Sequence, residues 1–113
     1  MIQIYHNPRC SKSRACESFL LDLNQPYEII RYLDNPLNFE ELKALLKKLE
    51  IPAEELIRKS EKIWIENYKN QVLSEDEIIT AMAKYPILIE RPIIVNGNRA
   101  VIGRPLENID KIL

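Results

Sequence analysis

The sequence predicts an α/β protein built on a mixed four-stranded sheet. Three observations carry that expectation: an amino-terminal strand, helix, strand pattern; a carboxy-terminal strand, turn, strand, helix pattern; and a middle third with helical periodicity throughout. Met1 to His6 alternates weakly and ends at Asn7-Pro8, as a short first strand does. From Ser11 onward Ala15, Cys16, Phe19, Leu20 and Leu23 recur at helical spacing, and Asn24 with Pro26 stops the run. Tyr27 to Tyr32, holding Ile29 and Ile30 between turn formers, reads as a second strand. A strand reached through a connection of a helix's length is parallel to the first by default, with a right-handed crossover.

Asn38 with Glu41 three residues on forms a capping-box start for a helix whose Phe39, Leu42, Leu45, Leu46 and Leu49 make one apolar stripe. Pro52 opens a short helix expected over Ala53 to Lys59, and Glu61 to Tyr68 reads as another around Ile63, Trp64 and Ile65. Ser74 with Glu77 caps a third, which carries Ile78, Ile79 and Met82 toward the core. Pro92-Ile93-Ile94-Val95 and Ala100-Val101-Ile102 flank Asn96-Gly97-Asn98, the strongest short hairpin signal. After Gly103 and Pro105, the residues Leu106, Ile109, Ile112 and Leu113 suit a terminal amphipathic helix. The order βαβ, helices, ββα fits a thioredoxin-like sheet in one domain over residues 1–113, with a helical insertion at about 38–84.

The chain's 113 residues give a mass of 13.3 kDa, enough for one domain with a radius of gyration of roughly 13 Å. Apolar residues at 46% and charged ones at 29% belong to an ordinary globular protein. A net charge of -1 lacks the positive field that a phosphate backbone demands, so nucleic acid is not an expected partner. No apolar run is long enough to span a bilayer, and the first residues lack a basic flank and apolar stretch. A cytoplasmic monomer with no membrane partner is expected. Cys10 and Cys16 lie six apart on the predicted helix, which separates them by about 9 Å and turns them to different faces, so they cannot bridge each other.

Cys10 stands where the first strand hands over to the first helix. Free backbone N–H groups and the positive end of the helix dipole favour a thiolate there, and neighbouring Arg9, Lys12 and Arg14 push the same way. Ser13, in the first turn, could donate a hydrogen bond to the sulfur. The competing reading is a small buried hydrophobe, the expectation for Cys16 on the apolar stripe. Cys10-Ser11-Lys12-Ser13 is not a C-x-x-C pair, so a redox cycle must take its second thiol from another molecule, with glutathione the obvious candidate. Only three residues separate Cys10 from Arg14, too few to wrap a phosphate as a phosphatase loop does. Arg58, placed late in its short helix, Arg91 before Pro92 and Arg104 between Gly103 and Pro105 are held by local backbone constraints. Each could present a planar charged fork to an oxyanion or form an ordinary surface ion pair. His6 taken alone is more often a structural hydrogen-bonder than a catalyst. No metal site and no bound cofactor is expected.

His6-Asn7-Pro8-Arg9-Cys10-Ser11-Lys12-Ser13-Arg14 closely resembles the H-N-P-x-C-x-x-S-R signature of the glutaredoxin-linked arsenate reductases, the ArsC-type family. Leu56-Ile57-Arg58-Lys59, the run from Pro86 to Val95 and Gly103-Arg104-Pro105 resemble that family's later motifs in the same order, so the likeness spans essentially the whole chain. The resemblance implies a thioredoxin-like fold with a helical insertion and a cis bond before Pro92. It also implies a nucleophilic Cys10 tuned or oriented by Ser13 and His6, with Arg58, Arg91 and Arg104 as an oxyanion clamp. The implied reaction reduces arsenate to arsenite through a cysteinyl arsenate adduct, with glutathione as co-substrate and glutaredoxin as protein partner. Cys10-Ser11-Lys12 departs from the Cys-Gly-Thr of the resistance-plasmid enzymes, and the sequence looks closer to the short chromosomal relatives. Two alternatives remain open at this point. One is a glutaredoxin-like monothiol oxidoreductase acting on glutathione mixed disulfides; the other is a binding module similar to the Spx-type regulators, which commonly carry C-x-x-C.

Overall fold

A computed structural model describes every residue from Met1 to Leu113. Contacts divide the chain into two units, Met1–Asp34 with Arg91–Leu113, and Asn35–Glu90. The first unit holds the sheet, made of β1 (Ile2–Tyr5), β2 (Tyr27–Ile30), β3 (Ile93–Asn96) and β4 (Arg99–Ile102) in the order β2-β1-β3-β4. Helix α1 (Ser11–Asp22) links β1 to β2, which pair in parallel with Ile4 opposite Ile29. β3 runs antiparallel to both its neighbours, with Ile94 opposite Ile4 on one side and Val101 on the other. The Asn-Gly hairpin forms as expected, and Gly97 takes the positive φ of 65° that its tight turn requires. Ile2, Ile4, Cys16, Leu20, Ile94, Ile109 and Ile112 form the core of this unit. The thioredoxin-like arrangement read from the element order is therefore the one the chain adopts.

The carboxy-terminal segment corrects one expectation. Leu106–Lys111 is a 3-10 helix rather than an α-helix. Its apolar residues Leu106, Ile109 and Ile112 recur every three positions, which is the period of a 3-10 turn and lines all three against the core.

The second unit is helical: α2 (Phe39–Leu49), α3 (Ala53–Leu56), α4 (Lys62–Asn67), α5 (Glu75–Lys84) and a single 3-10 turn at Pro86–Leu88. Both expected capping boxes are present, Asn38 with Glu41 on α2 and Ser74 with Glu77 on α5. In contrast to the expected span of Ala53 to Lys59, α3 stops at Leu56. Ile57 turns extended and bridges Ile89, and the flanking groups close two hydrogen bonds, Arg58 N to Leu88 O at 2.7 Å and Glu90 N to Leu56 O at 2.8 Å. Sequence periodicity does not report this non-local pairing. Arg58 consequently sits on a short extended bridge and not in a helix. No helix in the chain is long and apolar enough to cross a membrane.

Candidate active site

The loop between β1 and α1 is shaped by Asn7. Its side-chain Oδ1 accepts from the Arg9 N–H at 3.0 Å, its carbonyl accepts from the Cys10 N–H at 3.0 Å, and its own N–H donates to the Ser13 hydroxyl at 3.3 Å. These bonds turn the chain so that Cys10 arrives at the N-cap of α1 in an extended conformation. Asn7 was visible in the sequence as the end of the first strand and as one letter of the motif. The Asx turn expected of an asparagine before Pro-x is the signal that could have identified its role.

Cys10 is a free cysteine with 8% of its surface exposed. Burial pushes its thiol pKa up, but four contributions outweigh burial and bring it from 9.0 down to about 7: the Ser13 backbone N–H, a hydrogen bond from the Arg91 side chain, the Lys12 backbone N–H and the Arg91 charge. The sulfur makes no cap hydrogen bond of ordinary geometry. It is nevertheless close enough to the first-turn N–H groups for them to favour the anion, as the helix start predicts. Arg104 reaches the same atom, its Nη2 donating to Cys10 Sγ at 3.3 Å. Of the two arginines, Arg91 is the one that contributes to the lowered pKa, after the Ser13 N–H, yet a cationic donor at that distance acts in the same direction. The two arginines are tied together, since Arg104 Nε donates to the Arg91 carbonyl at 2.6 Å.

Each of these arginines precedes a cis proline, Arg91-Pro92 and Arg104-Pro105. The bond before Pro92 matches expectation; the second cis bond is an addition. Gly103 brings the two loops together. Its N–H donates to the Pro92 carbonyl at 2.9 Å, and a Cβ at this position would lie 2.9 Å from both Ile94 Cδ1 and Pro92 Cγ.

Other candidates stand differently. Ser13 is fully buried and serves the sulfur through its backbone N–H, while its hydroxyl accepts from Asn7. The Ser13 contribution to the acidity of the sulfur is a main-chain one. His6 extends the pairing with β2 through its N–H to Ile30 O at 3.1 Å, and its buried Nδ1 has no hydrogen-bond partner. Burial pushes its pKa below the ordinary value against an opposing pull from Glu17, and Arg31 and Arg14 add to the lowering, so the ring is neutral at pH 7. None of its hydrogen bonds goes to the sulfur. The sequence neighbours Arg9 and Lys12 are exposed, and Arg14 donates instead to the Pro8 carbonyl at 2.9 Å. The cations that act on Cys10 come from the far end of the chain. Arg58, in the helical unit, is held by Glu90 at 2.6 Å from Nη1 and by Glu61 at 3.5 Å from Nε. Cys16 is fully buried in the core and burial pushes its thiol up to about 12, in keeping with a packing role. No group of three or more His, Cys, Asp or Glu side chains is placed to hold a metal ion.

A thioredoxin-like sheet that presents one ionisable cysteine at a helix start, with two guanidinium groups on the sulfur, defines a single-thiol protein equipped to meet an anion. Comparison with known proteins carries this further: the ArsC family profile matches residues 5–112, and the chain belongs to that family. It is 41% identical over 114 residues to a Neisseria meningitidis protein named arsenate reductase, covering 99% of this chain and 97% of that one. An Escherichia coli arsenate reductase is 36% identical, with 99% of this chain and 80% of the relative covered. A solved structure described as arsenate reductase from Vibrio cholerae superposes with a TM-score of 0.94 at 39% identity, covering 99% of this chain and 97% of that one.

Proposed function

We propose that this protein reduces arsenate to arsenite with electrons from glutathione and glutaredoxin, acting as a cytoplasmic monomer without a bound cofactor. The observation that carries the reading is the Cys10 sulfur held by Arg91 and, at 3.3 Å, by Arg104 Nη2. A dianion does not approach a thiolate unless cations neutralise it and fix it in line, and the two guanidinium groups at the sulfur supply that neutralisation. Arg58 enters as a third cation through its sequence motif.

The Cys10 thiolate attacks arsenic(V) and forms an S–As bond, while one arsenate oxygen leaves as water after taking up protons. Glutathione's thiolate then displaces a second oxygen in the same way, leaving arsenic at +5 and bonded to two sulfurs. Glutaredoxin's thiolate attacks the glutathione sulfur. A disulfide forms between glutaredoxin and glutathione, the S–As bond to glutathione breaks, and its electron pair remains on arsenic, now +3. Water cleaves the remaining bond to release arsenite and return Cys10. The two thiols that enter the disulfide are oxidised, and arsenic is reduced by two electrons.

The test is arsenate-dependent NADPH consumption with glutathione, glutaredoxin and glutathione reductase. Turnover in the wild type and none in Cys10→Ser is expected. Absence of arsenate-dependent turnover overturns the reading. So does a mixed-disulfide reductase activity that persists undiminished in Arg91→Ala and Arg104→Ala, because the arginines would then serve no oxyanion.

A further inference from the structure

We propose that Asn108 is a positioning residue for this reaction, fixing the backbone of Arg104 so that the guanidinium lands on the Cys10 sulfur. The inference rests on the reading above, in which Arg104 serves the thiolate and its oxyanion. Asn108 lies in the carboxy-terminal 3-10 helix, away from every motif singled out in the sequence. Its Nδ2 donates to the Ile102 carbonyl at 3.0 Å and to the Arg104 carbonyl at 3.2 Å. The two carbonyls flank Gly103, whose N–H is in turn held by Pro92 O at 2.9 Å. The chain that leaves β4 is therefore pinned at three successive residues, and one side-chain nitrogen makes two of the three bonds.

An amide suits this task because its NH2 carries two donors; a hydroxyl has one and a carboxylate none. Asn108 is itself steady: its N–H donates to Pro105 O at 3.0 Å, and its neighbour Ile109 is fully buried in the core. The reason for pinning the arginine's backbone lies at its far end. Arginine carries large rotamer entropy, and here a single guanidinium must meet both the Arg91 carbonyl at 2.6 Å and the sulfur at 3.3 Å. A Cα free to drift breaks one of those contacts. The core residues of the 3-10 helix are thereby coupled, through Asn108, to the guanidinium that meets the sulfur.

The experiment uses the full chain and the neutral, similarly sized Asn108→Leu, with Asn108→Ser as a second variant that keeps one donor should the leucine form not fold. Thiolate absorbance gives the Cys10 titration midpoint, and the coupled assay gives KM and kcat for arsenate. The midpoint is expected to rise in Asn108→Leu, and KM to rise about tenfold, the scale of a lost hydrogen bond, with a smaller change in kcat. Arg104→Ala is expected to raise the midpoint too, and adding Asn108→Leu to it should move the midpoint no further. Glu107→Ala, an exposed neighbour, should match the wild type. A folded Asn108 variant with the wild-type midpoint and KM overturns the proposal, as does full additivity with Arg104→Ala. A wild type that reduces no arsenate fails the functional reading instead, and the titration still decides the role of Asn108.

Discussion

Replacing Arg91 by alanine removes two of the contributions that acidify Cys10, its hydrogen bond and its charge, and leaves the Ser13 and Lys12 N–H groups in place. With a thiol pKa of about 7, roughly half of Cys10 is ionised at neutral pH, against about one molecule in a hundred for a thiol at the ordinary 9.0. Burial still opposes ionisation in the variant, while the helix start still favours it. The midpoint is therefore expected to move up toward about 8, which leaves roughly one molecule in ten as thiolate at pH 7. Absorbance of the thiolate and the pH profile of iodoacetamide alkylation both read this shift. Cys16 does not interfere, being fully buried with its pKa raised to about 12. Arg91→Lys should fall between the two, retaining charge but not the planar fork. A wild-type midpoint near 9, or an Arg91→Ala midpoint equal to that of the wild type, would refute the electrostatic account of this cysteine.

Gly103→Ala places a methyl group 2.9 Å from Ile94 Cδ1 and from the Pro92 ring, so a loss of about 1–3 kcal/mol in urea unfolding is expected, together with weaker arsenate turnover as the Arg104 loop shifts. Because the Cys10 pKa is depressed from 9.0 to about 7, the unfolded chain binds more protons than the folded one between those values. Its stabilising effect is complete above about pH 9 and is lost as the pH falls through about 7, so the stability gap between wild type and Cys10→Ser should widen as the pH rises from about 7 to about 9; a constant gap would contradict the shift. Ser74→Ala removes the hydroxyl that accepts from the Glu77 N–H at 3.2 Å and should lower stability by about 1 kcal/mol without moving the Cys10 midpoint.

The sequence by itself determined the element order, because period-two and helical spacing, the capping boxes at Asn38 and Ser74 and the Asn-Gly turn are local patterns whose energetics close within a few residues. It also singled out Cys10, since a helix start supplies its N–H groups from the next three positions. Cys16 in the core was likewise legible from its place on the apolar stripe. Local spacing did not assign which charges act on that sulfur, although the family resemblance named Arg91 and Arg104. Arg9, Lys12 and Arg14 are nearest along the chain, yet they lie exposed or turn to the Pro8 carbonyl, whereas Arg91 and Arg104 act from more than eighty residues away. The same limit explains the bridge between Ile57 and Ile89 that shortens α3. Hydrogen bonds and Coulomb attraction depend on separation in space, and only the folded sheet, with β3 beside β1, brings the ends of this chain within their reach.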